Sequence, residues 1–197
     1  MINYTDDLRW DETPFIAIDT ETTGFSRDDR ICEIALVVTR GDRVLEVFHS
    51  LVNPGRPIDP GAQAVHGISD EDVAGAPRFE DIKPQVLRLL MTEMPWVAHQ
   101  MMFDARMLSY VIPREEWPHG IYTLCTLDFS KNHHLSLKLH AKHKLLDLAS
   151  YLGINYDPDA AHNARNDAEL LAKIVPALMG NRPIRQYYTK LSEQWLK

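Results

Sequence analysis

The chain has 197 residues, 45% of them hydrophobic and 25% charged, the make-up of an ordinary globular protein with enough apolar side chains for a core without staples. A formal net charge of −7 argues against a simple polyanion binder, although acids that hold cations would locally reverse the field. No apolar run approaches a membrane span, and the acidic opening segment, Met1 to Glu12, is unlike a secretory or transit peptide. Cys32 and Cys125 each lie in an apolar run, as expected of free thiols in the reducing cytoplasm.

Phe15-Ile-Ala-Ile is predicted to be a buried strand running into Asp19-Thr-Glu21-Thr22-Thr23-Gly24. Side chains alternate along a strand, so Asp19 and Glu21 share a face. Two adjacent acids repel, and a divalent cation on oxygen ligands is the usual reason to hold them together. An acidic strand end on a plain surface is the alternative reading. The following turn, at Thr22, Thr23 and Gly24, is where backbone can approach a ligand closely. A second strand is predicted over residues 31–39, and Gly41-Asp42 turns it into a third over 44–52, completing an antiparallel meander. Pro54, Gly55, Pro57, Pro60 and Gly61 then mark a loop.

Helical spacing follows at 79–91, where Ile82, Val86, Leu89 and Leu90 share a face. Residues 95–98 read as a short buried strand, 103–111 as a helix and 121–127 as a strand. Two helical stretches, 135–142 and 145–152, stop at Gly153, and a long helix covers 163–179. Strands in a meander, then strands alternating with helices, predict an α/β fold: a mixed sheet flanked by α-helices. Residues 1–180 are expected to form one domain. Residues 181–197 form a tail in which Ile184, Tyr187, Tyr188, Leu191 and Trp195 recur at helical spacing, either packed on the domain or offered to a partner.

Two more candidate sites stand where elements begin. His99-Gln-Met-Met-Phe103-Asp104 opens one helix, and His162-Asn-Ala-Arg-Asn-Asp167 opens the last. Taken singly, Asp104 and Asp167 could simply complement a helix dipole, and His162 could be a surface or capping residue.

Taken together, Asp-x-Glu-Thr-Thr-Gly, Ala-His-x-x-x-Phe-Asp and His-x-Ala-x-x-Asp-Ala arrive in the order found in the DEDDh 3′-to-5′ exonucleases, which the chain resembles over about residues 15–178. Ile31-Cys-Glu-Ile-Ala35, Val65-His-Gly-Ile-Ser69 and Leu145-Leu-Asp-Leu-Ala-Ser-Tyr-Leu-Gly153 add to the likeness. The resemblance implies a ribonuclease-H-like fold, with antiparallel and parallel strands in one sheet. It implies that Asp19, Glu21, Asp104 and Asp167 bind two Mg²⁺ or Mn²⁺ ions, with Asp19 bridging, and that His162 is the general base. It places Thr22, Thr23 and His66 at the terminal nucleotide, with Gly24 and His99 expected beside them; Phe103 is either a stacking surface for a base or part of the core. The family commonly has Asn where this chain has Gln100, and Arg165 and Asn166 also depart from its pattern; no ligand or base is lost.

Such a site suits phosphodiester hydrolysis. Hard cations on carboxylates can activate water and stabilise the leaving oxygen, and an imidazole with an ordinary pKa of about 6.5 can take the water's proton. The expected substrate is single-stranded nucleic acid or a 3′ end, DNA ahead of RNA, with a polymerase or a second copy as conceivable partner and no membrane. An adaptor that keeps the fold only for binding is the rival from another class. The segment 131–144, rich in Lys and His, is either a basic patch for the nucleic-acid backbone or a solvated helix face.

Overall fold

The computed structural model describes residues 9–117, 120–133, 143–180 and 189–190. Strands β1 (Phe15–Thr22), β2 (Ile31–Arg40) and β3 (Arg43–Leu51) form the expected antiparallel meander. Strand β4 (Trp96–Ala98) lies parallel to β1, and β5 (Tyr122–Cys125) lies parallel to β4. A two-residue strand, β6 (Thr189–Lys190), pairs antiparallel with β5, so the sheet order is β3-β2-β1-β4-β5-β6.

Strands β1 and β2 are buried on both faces, as their nearly unbroken apolar runs require. On one face Ile16, Ile18, Ile34 and Leu36 pack with α3 (Phe79–Leu90) and α4 (Met101–Val111). On the other, Phe15, Ala17, Ala35 and Val37 pack with α6 (Leu145–Tyr151) and α7 (Ala164–Met179). The result is a helix–sheet–helix sandwich with its central strand, β1, flanked by one antiparallel and one parallel neighbour.

Three local expectations are corrected. The Pro/Gly-rich loop contains two short helices, α1 (Pro60–His66) and α2 (Asp70–Ala74). The first has Asp59 as N-cap, Pro60 in its first turn and Gly67 at φ 77° to end it; the second has a Ser69/Asp72 capping box. Both are too short to show helical periodicity. The strand predicted over 121–127 stops at Cys125, and the chain turns at once into α5 (Thr126–Asn132). In the tail predicted to be helical, Thr189 and Lys190 are strand; the rest of the tail and the predicted helix 135–142 lie outside the described residues.

Candidate active site

The chemistry-bearing residues gather where β1 and β4 end. Asp19 and Glu21 project from the face of β1 that bears Ala17, toward α7. Thr20 points to the opposite face, and its hydroxyl donates to Asp104 Oδ1 at 2.9 Å, fixing the carboxylate that α4 brings in from the loop after β4. Asp104 is only 4% exposed.

Helix α7 supplies the remaining groups. Ala164, Ala168 and Ala172, spaced one helical turn apart, face Ala17 and Ala35 within one buried cluster. This seam of small side chains lets the helix sit close to the sheet, so that its first turn reaches Glu21. Glu21, His162 and Asp167 each present a ligand atom within 4.8 Å of the others. His162 has φ 59°, a left-handed conformation that costs a side chain with a Cβ about 1–3 kcal/mol unless its surroundings impose it. Its own N–H donates to Asp167 Oδ2 at 3.2 Å. Asn166, a departure from the family pattern, donates from Nδ2 to the Ala160 carbonyl at 3.0 Å and so ties the loop to the helix.

A fifth acid, Glu33, stands beside these four without a motif of its own. Glu33 lies directly across from Glu21 on β2 and is 1% exposed. Its carboxylate accepts three hydrogen bonds: from His49 Nε2 at 2.7 Å, from Asn163 Nδ2 at 2.9 Å and from the Ala164 N–H at 2.9 Å. Asp19 and Glu21 differ sharply, since neither accepts a donor from the described residues. The sequence signal was the parity of Glu33 with Glu21 across the hairpin, but parity does not distinguish a ligand from an anchor.

The electrostatics follow from this crowding. Burial, then repulsion from Asp104, Glu21, Asp167 and Glu33, raises Asp19 well above the usual carboxylate range. Glu21 is pushed up to about 8 by burial and then by Asp167, Glu33 and Asp104. Asp104 is pushed up to about 7 by burial, against the pull of the Thr20 hydroxyl. Asp167 is raised by burial and held back by the His162 backbone. Half-buried carboxylates that lack donors and repel one another fit hard divalent cations, which would replace repulsion with coordination.

The acids floor a cleft of about 550 Å³, whose walls include Thr22, Phe25, Val65, His66, His99 and Phe103. His66 accepts the Ile68 N–H at Nδ1, so Nε2 carries the proton and meets the Thr22 carbonyl at 3.2 Å. Burial lowers its pKa, and pushes that of His99 down to about 4, so both present neutral rings at neutral pH. His99 Nδ1 meets Thr126 Oγ1 at 2.9 Å. Thr23 and Gly24, expected at the substrate, do not line the cleft. Thr23 is fully buried and donates to Asp29 Oδ1 at 2.7 Å, and a Cβ on Gly24 would lie 2.7 Å from Asp29 Oδ2. They shape the turn. Phe25, which sequence reading passed over, is 72% exposed with its ring 5.9 Å from that of Phe103. Its position directly after the Thr-Thr-Gly turn was the available clue. Lys131 and Lys144 also reach the cleft, while residues 134–142 between them, including His140, lie outside the described residues.

This mixed sheet with acids at the ends of two parallel strands is a ribonuclease-H-like fold of the kind exonucleases use. Residues 16–175 match the sequence profile of the exonuclease family designated RNase T, and the chain belongs to that family. A protein of Escherichia phage 186 named "Uncharacterized exonuclease CP81" is 31% identical over 180 residues, covering 86% of this chain and 90% of its own length. A "DNA polymerase III subunit epsilon-like protein" of Rhodobacter capsulatus is 35% identical over 176 residues, covering 85% of this chain; the chain spans only 24% of that relative. Among solved structures, exonuclease X in complex with 5′-overhanging duplex DNA superposes with a TM-score of 0.65 at 27% identity, over 87% of this chain and 97% of the other.

Proposed function

We propose that the chain removes nucleoside 5′-monophosphates from 3′ ends of DNA, using two Mg²⁺ or Mn²⁺ ions and His162 as general base. One observation carries the reading. Carboxylates from β1, α4 and α7 converge with an imidazole on the floor of a single cleft, and two of them have no donor among the described residues. The 3′-to-5′ polarity and the preference for DNA rest on the family likeness and on the neighbour bound to DNA with a 5′ overhang, whose 3′ end is recessed.

Asp19, Glu21, Asp104 and Asp167 would hold the cations, which when bound supply Lewis-acid stabilisation of the phosphoryl charge and a more acidic water. The chain's own side chains do the rest. His162, beside Glu21 and Asp167, accepts the proton of the attacking water. Phe25 and Phe103 give the terminal bases an aromatic surface, which binds any base without sequence preference. Thr22, His66 and His99 offer neutral polar contacts along the cleft. Lys131 and Lys144, on the wall, meet the phosphates upstream.

RNA remains the second substrate, and the name of the epsilon-like relative makes association with a polymerase a further role to test. Both cysteines are free, which suits the reducing cytoplasm, and no described helix is long and apolar enough to cross a membrane. Asp19→Ala and Asp167→Ala test the core of the reading. Each should abolish metal-dependent release of mononucleotides while circular dichroism stays that of the parent, whereas parental rates in either variant would overturn the assignment.

A further inference from the structure

We infer that Glu33 is a positioning residue: through Asn163 and the Ala164 N–H it locks the start of α7, and with it the left-handed backbone hinge at His162. The consequence for turnover rests on the exonuclease reading above; the lock itself does not.

Glu33 looks at first like a fifth ligand, since it stands opposite Glu21 on the same face of the sheet. Its hydrogen bonds exclude that role. Three donors, one of them the free N–H of the first α7 residue, already occupy a carboxylate that solvent barely reaches. Its negative charge at the helix N-terminus is also where the helix dipole favours an anion. Asn163 then works in two directions. Its Nδ2 donates to Glu33, and its Oδ1 accepts the Asn166 N–H as the N-cap of α7. His162 is the residue immediately before this lock. On its other side Ala160 is held by Asn166, and its own N–H is held by Asp167. An unfavourable φ is therefore imposed from both ends, and the imidazole is delivered to Glu21 and Asp167 without any contact from Glu33 itself. His49, 30% exposed on β3, shares Glu33 Oε1 with Asn163 and leaves Oε2 to the Ala164 N–H.

A polarity swap tests this. Glu33→Gln turns one acceptor oxygen into a donor, which must then face either the Ala164 N–H or the Asn163 amide. Asn163→Asp alone sets two carboxylates against each other. The double variant E33Q/N163D reverses the shared hydrogen bond: the new amide donates to the new carboxylate, whose other oxygen still caps Asn166, and His49 can accept in its other tautomer. Each single variant should lower kcat about tenfold to a hundredfold with KM for a short oligonucleotide held within about threefold, and should speed amide exchange over residues 160–168 about tenfold. The double variant should regain both properties to within about threefold. Parental kcat in E33Q would overturn the inference. So would a double variant that recovers exchange protection but not kcat, because Glu33 would then be a structural anchor only. If the parent itself shows no turnover with Mg²⁺ or Mn²⁺, the exonuclease reading fails, and the exchange rates of the four proteins still decide whether the lock exists.

Discussion

Asp19 and Glu21 share one face of β1, half-buried, with no donor from the described residues, a costly arrangement in the absence of a cation. Burial raises both, together with Asp104 and Asp167, and repulsion among the acids adds to it at Asp19, Glu21 and Asp167. The folded protein therefore retains protons that the unfolded chain gives up near pH 4. With folded values of about 8 for Glu21 and about 7 for Asp104, their contribution to metal-free stability is fullest below the unfolded range and is lost as pH rises toward about 8. Thermal unfolding of metal-stripped protein should show a midpoint lower by roughly 5–10 °C at about pH 9 than at about pH 5, with Mg²⁺ recovering most of the loss at the higher pH. A flat profile, or one that rises with pH, would mean that the acids do not share a site. His162→Ala should slow hydrolysis by roughly 10²–10⁴-fold while calorimetric Mn²⁺ binding persists; loss of that binding would recast His162 as a ligand. Phe25→Ala should raise KM roughly tenfold with an unchanged unfolding midpoint, since the ring is 72% exposed. Asp19, Glu21, Asp104, Asp167 and His162 were legible in the sequence because each stands in a short motif at the end of an element. Glu33 and Phe25 were not. The meaning of Glu33 depends on a partner 130 residues away, and that of Phe25, in the turn after β1, on an aromatic ring brought in by α4.

Helix α7 is the element on which the geometry turns. Its alanine seam against Ala17 and Ala35 sets the distance between helix and sheet, and that distance sets whether Asp167 meets Glu21. Ala168, fully buried, is the sensitive position. Ala168→Leu should cost about 1–3 kcal/mol, a drop of several degrees in midpoint, and should reduce kcat more than substrate affinity because it moves Asp167 and His162 together. Unchanged turnover in a destabilised variant would show that the first turn of α7 is positioned by its cap alone. The long elements were visible beforehand because β1 and β2 carry nearly continuous apolar runs, Gly41-Asp42 marks the turn into β3, and α7 repeats its apolar face over 16 residues. Helices α1 and α2 were hidden, since seven and five residues are too few to show a period and their boundary signals resemble those of a loop. Strand β6 exists only through pairing with β5, which no local pattern announces.

For the molecule as a whole, a net charge of −7 must be reconciled with a polyanionic substrate. The acids, which cations would neutralise, line the same cleft as Lys131 and Lys144. Replacing both lysines by alanine should flatten the dependence of log affinity on log salt by roughly one to two units; an unchanged slope would remove them from the nucleic-acid path. The central claim is the reaction itself, and one measurement addresses it. Single-stranded DNA, duplex DNA and RNA of matched sequence, each labelled at the 5′ end, would be incubated with the protein in Mg²⁺ or in chelator. The account predicts a ladder shortening stepwise from the 3′ end, with metal only, and fastest on DNA. Cleavage within the strand, release of the 5′ label as a mononucleotide, or the same ladder in chelator would contradict it.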